Sequence, residues 1–193
     1  MSALVPSHAP ILTRPCPELH VRSPKETAEY AAHAIAALRA EIALHDEAVG
    51  MAAVQIGMPV RVAIVSIGGR GVAMINPRLW EAATIGTSRP QRAERPLSAG
   101  PVLRAYAGRF GAASFAWSTE ECLSLPGFRV QVPRRMTVAA TWIAEDGEEV
   151  AQLLEAGDAI IVQHEVDHLN GVPLWVHPGR REVPAAAPEV AGS

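Results

Sequence analysis

Within this 193-residue chain, the segment His164-Glu165-Val166-Asp167-His168 carries the residue types and spacing that point most directly to chemistry. Side chains four positions apart share one face of a helix, so both imidazoles can reach a single metal ion. Glu165, beside the first imidazole, can approach an attacking water without occupying a ligand position. A hydrolytic centre of this kind needs a third protein ligand and an open position. Leu174 stands where a metzincin carries its third histidine. His177 is a candidate, although it lies past Pro173 and beside Pro178 in a segment that reads as extended. A second helix bearing a glutamate ligand has no evident place in the short remainder. Cys122, within Glu120-Glu121-Cys122-Leu123-Ser124-Leu125-Pro126-Gly127, is a further candidate, though a lone cysteine is more often a small buried hydrophobe.

A third segment, Val49-Gly50-Met51-Ala52-Ala53-Val54-Gln55, combines small residues with one amide. Gly50 permits close backbone approach to a ligand. Gln55 could aim its NH2 into a pocket, where a neutral donor stabilises an oxyanion. Read alone, the segment is equally a small-residue turn entering a strand. Cys16, between Pro15 and Pro17, reads as a structural or exposed thiol. His8, His20, His33 and His45 lack partner spacing and read as surface or satisfied core residues.

These residues need elements to hold them. Ser23-Pro24-Lys25-Glu26 reads as an N-cap, a proline at the first helical position and a capping-box glutamate, opening a helix over 24–44. Ala31, Ile35, Leu38 and Ile42 form its apolar stripe. Arg61–Ile67 and Gly71–Ile75 read as a hairpin, as do 136–143 and 148–154 with Asp146-Gly147 at the turn. A helix starting between Glu155 and Asp158 and ending near Asn170, with Gly171 beyond it, would carry both histidines. From 78 to 119 the chain is rich in Pro, Gly and Arg and reads as an insertion. Its arginines suit a solvated face, a lid or a ribosome-docking surface. Residues 178–193, rich in Pro and Ala, are expected to be disordered. The domain expectation is therefore one catalytic unit over 1–177 with that insertion.

Composition limits the function further. A net charge of −3 makes no electrostatic case for nucleic acid. Apolar residues make up 49% and charged residues 19%, as in ordinary globular chains. No apolar run is long enough to span a bilayer, and no secretory signal is visible at the N-terminus, so the cytoplasm is the expected compartment. Two cysteines could form at most one disulfide, which argues against a disulfide framework and points to a metal or catalytic role for at least one thiol.

Taken in order, the three motifs resemble those of the peptide deformylase family. Ala48–Gln55 is similar to G-Φ-G-Φ-A-A-x-Q, Glu120–Ser124 to E-G-C-L-S, and Gln163–Gly171 to Q-H-E-x-x-H-L-x-G. The resemblance runs from about Pro10 to Val176 and departs at Ala48 and Glu121, where the motifs have glycine, and in the long 78–119 insertion. It implies an α+β fold in which antiparallel sheets surround a central helix carrying the HExxH motif. It implies Cys122, His164 and His168 as metal ligands, Glu165 as acid/base, and Gln55 with the Leu123 backbone N–H as oxyanion donors. Val49, Gly50, Glu120, Arg129, Ile160 and Ile161 are the implied substrate contacts, with a surface salt bridge an equal account of Arg129. The implied reaction removes the N-formyl group from N-terminal methionine and releases formate. Fe(II) is the expected ion, with zinc, nickel or cobalt acceptable. Expected partners are N-formylmethionyl peptides and the ribosome near its exit tunnel, with no membrane. Other readings are a different N-formylated substrate, or an impaired homologue that binds without turnover. A zincin-type endopeptidase is the weakest.

Overall fold

The computed structural model describes residues 2–80 and 115–183, so most of the expected insertion and the end of the expected disordered tail lie outside them. Helix α1 spans Pro24–Ile42. The Ser23 side chain accepts from the Glu26 N–H at 3.2 Å and Pro24 occupies the first turn, as the capping pattern requires. The helix stops at Ile42, two residues short of the expected end, with a turn following. Its stripe of Ala28, Ala31, Ile35 and Leu38 packs against Met51, Val62, Ile64 and Ile75.

Five antiparallel strands form the larger sheet: β1 (Gly50–Ala52), β2 (Val62–Ile67), β3 (Arg70–Trp80), β6 (Thr137–Ile143) and β7 (Glu149–Glu155), in the order β1-β2-β3-β6-β7. Both expected hairpins are present. Gly68 and Gly69 at φ 56° and 76° make the turn between β2 and β3. The register of β3 against β6 shifts between Ile75 and Arg78, where Asn76 adopts φ 53°. Its amide both donates to and accepts from the Leu19 backbone at 2.8 Å, which pins that unusual conformation.

The smaller sheet holds β4 (Phe115–Cys122), β5 (Leu125–Arg135) and β8 (Arg181–Glu182), in the order β4-β5-β8. Residues 78–80 continue β3 and 115–119 begin β4, which corrects the expected insertion at both ends. Expected disorder beyond 178 does not extend to Arg181 and Glu182. They pair with Val130 and Gln131, and the Arg181 guanidinium sits 3.9 Å over the Trp117 ring.

Helix α2 (Ala156–Leu169) leaves β7 directly and carries His164, Glu165 and His168. Ala156 takes φ 51° at this corner, and its N–H is held by the Met136 carbonyl at 2.8 Å. Gly171, at φ 71°, follows the helix. A side chain there would lie 2.7 Å from the Arg14 backbone, so both conformation and space call for glycine. One side of α2 buries Ala159, Val162 and Val166 against Val65, Met74, Val138, Ala140 and Leu154 of the larger sheet. The other is fastened to β5, where Gln163 bonds both the N–H and the C=O of Arg135 at 3.1 and 2.8 Å. Among the described residues, no helix is long and apolar enough to cross a membrane.

Candidate active site

Cys122, His164 and His168 bring their ligand atoms within 4.8 Å of one another, and no other such group occurs among the described residues. The histidines come from one face of α2, with ring centroids 5.0 Å apart. Cys122 comes from the end of β4, where the register against β5 shifts between Glu120 and Cys122 and turns the thiol inward. Its Sγ lies 3.2 Å from His168 Nε2. His164 Nδ1 faces Glu120 Oε2 at 2.8 Å, which leaves its Nε2 for the cluster. One sulfur and two imidazole nitrogens converging in this way suit a single divalent ion.

The two imidazoles are held in opposite states. Burial alone would depress His164, but hydrogen bonds to Cys122 and Glu120 and the nearby Glu165 charge raise it well above the usual range. Burial and the charge of His164 push His168 well below it. Metal binding favours the deprotonated form of such ligands and so opposes the upward push on His164.

Behind His164 lies an ionic network. Arg134, 2% exposed, donates Nε and Nη2 to the two oxygens of Glu120 at 2.7 and 2.8 Å and Nη1 to Asp167. Burial would raise the Glu120 pKa, but hydrogen bonds from Arg134 and His164 outweigh it and lower the value to about 2. Glu120, expected among the substrate contacts, lines the cleft with both oxygens engaged and orients His164. His177, weighed as a ligand, lies outside the cluster with Nε2 3.6 Å from Asp167.

The cluster opens on a cleft of about 890 Å³ lined in part by Val49, Gly50, Leu123, Ile160, Ile161 and Glu165. Glu165 is 4% exposed, and its Oε2 has no hydrogen-bond partner. Burial raises this carboxyl to about 7. A Cβ on Gly50 would lie 2.6 Å from Glu165 Oε1, so this glycine makes room for the carboxylate itself. Gln55 sits in a 3-10 turn, Ala53–Ile56, directly after β1. Its Oε1 accepts from the Ala52 N–H at 2.8 Å, which fixes the amide so that Nε2 donates to Ser124 Oγ at 3.1 Å and faces Cys122 Sγ at 3.7 Å.

Arg129 stands outside the cleft wall and meets Glu121 at 3.1 Å, with side chains 50% and 67% exposed. Ala48 is not among the residues with positive φ, so alanine fits where the motif has glycine. The catalytic candidates did not include Arg134, Asp167 or Ser124. One signal for Arg134 was present: Val130, Val132 and Arg134 alternate onto one buried face, an arginine where a core residue would stand.

An inward carboxylate beside a Cys/His/His cluster, at the base of an open cleft, is the arrangement of a metallohydrolase site. The family model described as polypeptide deformylase matches residues 1–178, and the chain belongs to that family. It is 40% identical over 123 residues to peptide deformylase 1 of Prochlorococcus marinus (strain MIT 9313), across 64% of this chain and 55% of the relative. The chain thus matches little more than half the length of that relative. A class I type b peptide deformylase from Acinetobacter baumannii with K1U bound superimposes with a TM-score of 0.67 at 26% identity, covering 91% of this chain and 97% of the other. The same Acinetobacter baumannii enzyme with Met-Ala-Ser bound gives 0.66 at 25% identity, with 91% and 97% covered.

Proposed function

We propose that this protein hydrolyses the N-formyl amide at the N-terminal methionine of nascent polypeptides and releases formate. The observation that carries the reading is the convergence of Glu165, the Gln55 NH2 and the Cys122–His164–His168 cluster at one end of an open cleft. Family membership and the Met-Ala-Ser bound to the similar Acinetobacter baumannii enzyme support a substrate beginning with methionine. Val49, Ile160 and Ile161 offer apolar wall for that side chain.

Cys122 Sγ, His164 Nε2 and His168 Nε2 would hold one divalent ion, which when bound polarises the carbonyl and lowers the pKa of a water. Glu165 takes a proton from the attacking water as its oxygen bonds to the formyl carbon. The oxyanion that forms accepts hydrogen bonds from Gln55 Nε2 and the Leu123 N–H, and each such donor is worth on the order of a hundredfold in rate. Glu165 then passes the proton to the amine nitrogen as the C–N bond breaks, leaving a free α-amine and formic acid, which loses its proton to the amine or to water and departs as formate. Gly50 contributes the space Glu165 needs and, in this reading, a backbone contact to an extended peptide.

Fe(II) is the ion we assign in the cell, although the donor set equally suits zinc, nickel or cobalt. In the same reading α2 is the central element of the fold, residues 1–177 form one catalytic unit, and the protein works in the cytoplasm near the ribosomal exit tunnel. The test is formate release from a formyl-methionyl peptide by metal-loaded protein, with Glu165→Gln as control. Release lost in the control supports the reading. No release with iron, nickel or cobalt bound overturns it.

A further inference from the structure

Apart from the imidazoles of His45 and His164 and the Cys122 thiol, the ionisable side chains along the cleft are carboxylates among the described residues. Glu47, Glu120, Glu121 and Glu165 line it, and no lysine or arginine does among the described residues. Two of the four are already committed: Glu120 is neutralised by Arg134, and Glu165 is sealed at 4% exposure. Glu47, just before β1, and Glu121, on β4, remain at the open mouth, both exposed. Among the described residues Arg129 meets Glu121 in a pair whose side chains are 50% and 67% exposed, and such open pairs are weak. Glu121 also stands where the family motif has glycine and is the chain neighbour of Cys122. Successive residues of an extended peptide advance about 3.3 Å, and Glu121 lines the same cleft along which the residues after a methionine at the cluster would run.

We infer that Glu121, with Glu47 in support, makes this cleft select peptides that carry a cationic side chain one or two residues after the methionine. The inference rests on the proposed deformylase reading and names the substrate class of the same site. Binding of the product peptides Met-Lys-Ser and Met-Glu-Ser by metal-loaded protein is measured by calorimetry, and turnover of their formylated forms by formate release. For the unaltered protein the lysine peptide is favoured by about 3- to 10-fold in Kd and in kcat/KM at low salt, and added salt shrinks the ratio. Glu121→Gln brings it to within about twofold, and Glu121→Lys reverses it. A ratio near one in the unaltered protein overturns the inference, as does a ratio that Glu121→Gln leaves intact or that only Glu47→Gln removes. Should neither formylated peptide release formate, the deformylase reading fails, while the binding ratio still decides the role of Glu121.

Discussion

Two sheets grip helix α2 by different physics. The five-stranded sheet holds it through apolar burial, with Ala159, Val162 and Val166 set into a packed cluster. The three-stranded sheet has a small core of Cys122, Val130, Val132 and Leu174, and reaches the helix through Arg134, Glu120 and Gln163. The larger sheet supplies Gly50 and, just past its edge strand, Gln55. The smaller supplies Cys122 and the carboxylate that orients His164. Apolar burial tolerates adjustment because it is non-directional, whereas a buried ion pair left with one partner carries an uncompensated charge. The Cys122–His164–His168 cluster is thus assembled across the seam, and its directional half depends on charge.

The largest expected effect separates these grips. Arg134→Met leaves Glu120 buried without its cation and should cost about 3–5 kcal/mol in urea unfolding, together with weaker metal binding. Leu154→Ala in the apolar grip should cost about 2–5 kcal/mol while the folded fraction keeps its metal affinity. Equal loss of metal affinity in both would dissolve the distinction.

Next in size is the pH response of metal-depleted protein. Glu120 has its folded pKa lowered from 4.5 to about 2, so its contribution is present above about pH 4.5 and is lost as pH falls toward 2. Glu165 is raised from 4.5 to about 7 and acts in the opposite sense, with stability present below about pH 4.5 and lost as pH rises through 7. Each limb amounts to about 3 kcal/mol at most. Unfolding between pH 3 and 8 should show Glu120→Gln flattening the acid limb and Glu165→Gln the neutral one. If either substitution flattened both limbs, the two carboxylates would be one coupled unit.

Gly50→Ala tests the seam from the apolar side. The added methyl meets Glu165 Oε1, so kcat for the formyl-methionyl peptide should fall by about a hundredfold with metal content unchanged. Arg129→Ala, which opens only the exposed pair with Glu121, should change stability by about 0.5 kcal/mol or less in the same unfolding assay.

What was legible in the sequence follows the same division. The Ser23 cap, the glycine turn between β2 and β3, and the spacing of His164 and His168 are local patterns, and the elements they predict are present. The β4–β5 hairpin escaped notice because Pro126 and Pro133 interrupt the strand signal, and because β4 begins beside a stretch with no clear period. The role of Glu120 in orienting His164 is not legible in the sequence because its partners are 14 and 44 residues away, beyond any local spacing rule. Gly50 was read as room for a ligand, and only the fold shows that the Glu165 carboxylate fills that space.

The most direct test of a metal centre built across the seam is anaerobic titration of the protein with Co(II), followed by its optical spectrum. One ion per chain is expected, with a sulfur-to-cobalt charge-transfer band that disappears in Cys122→Ala, a thiol supplied by the smaller sheet to histidines on α2. A band that survives in Cys122→Ala, or one that requires Cys16, would contradict the account.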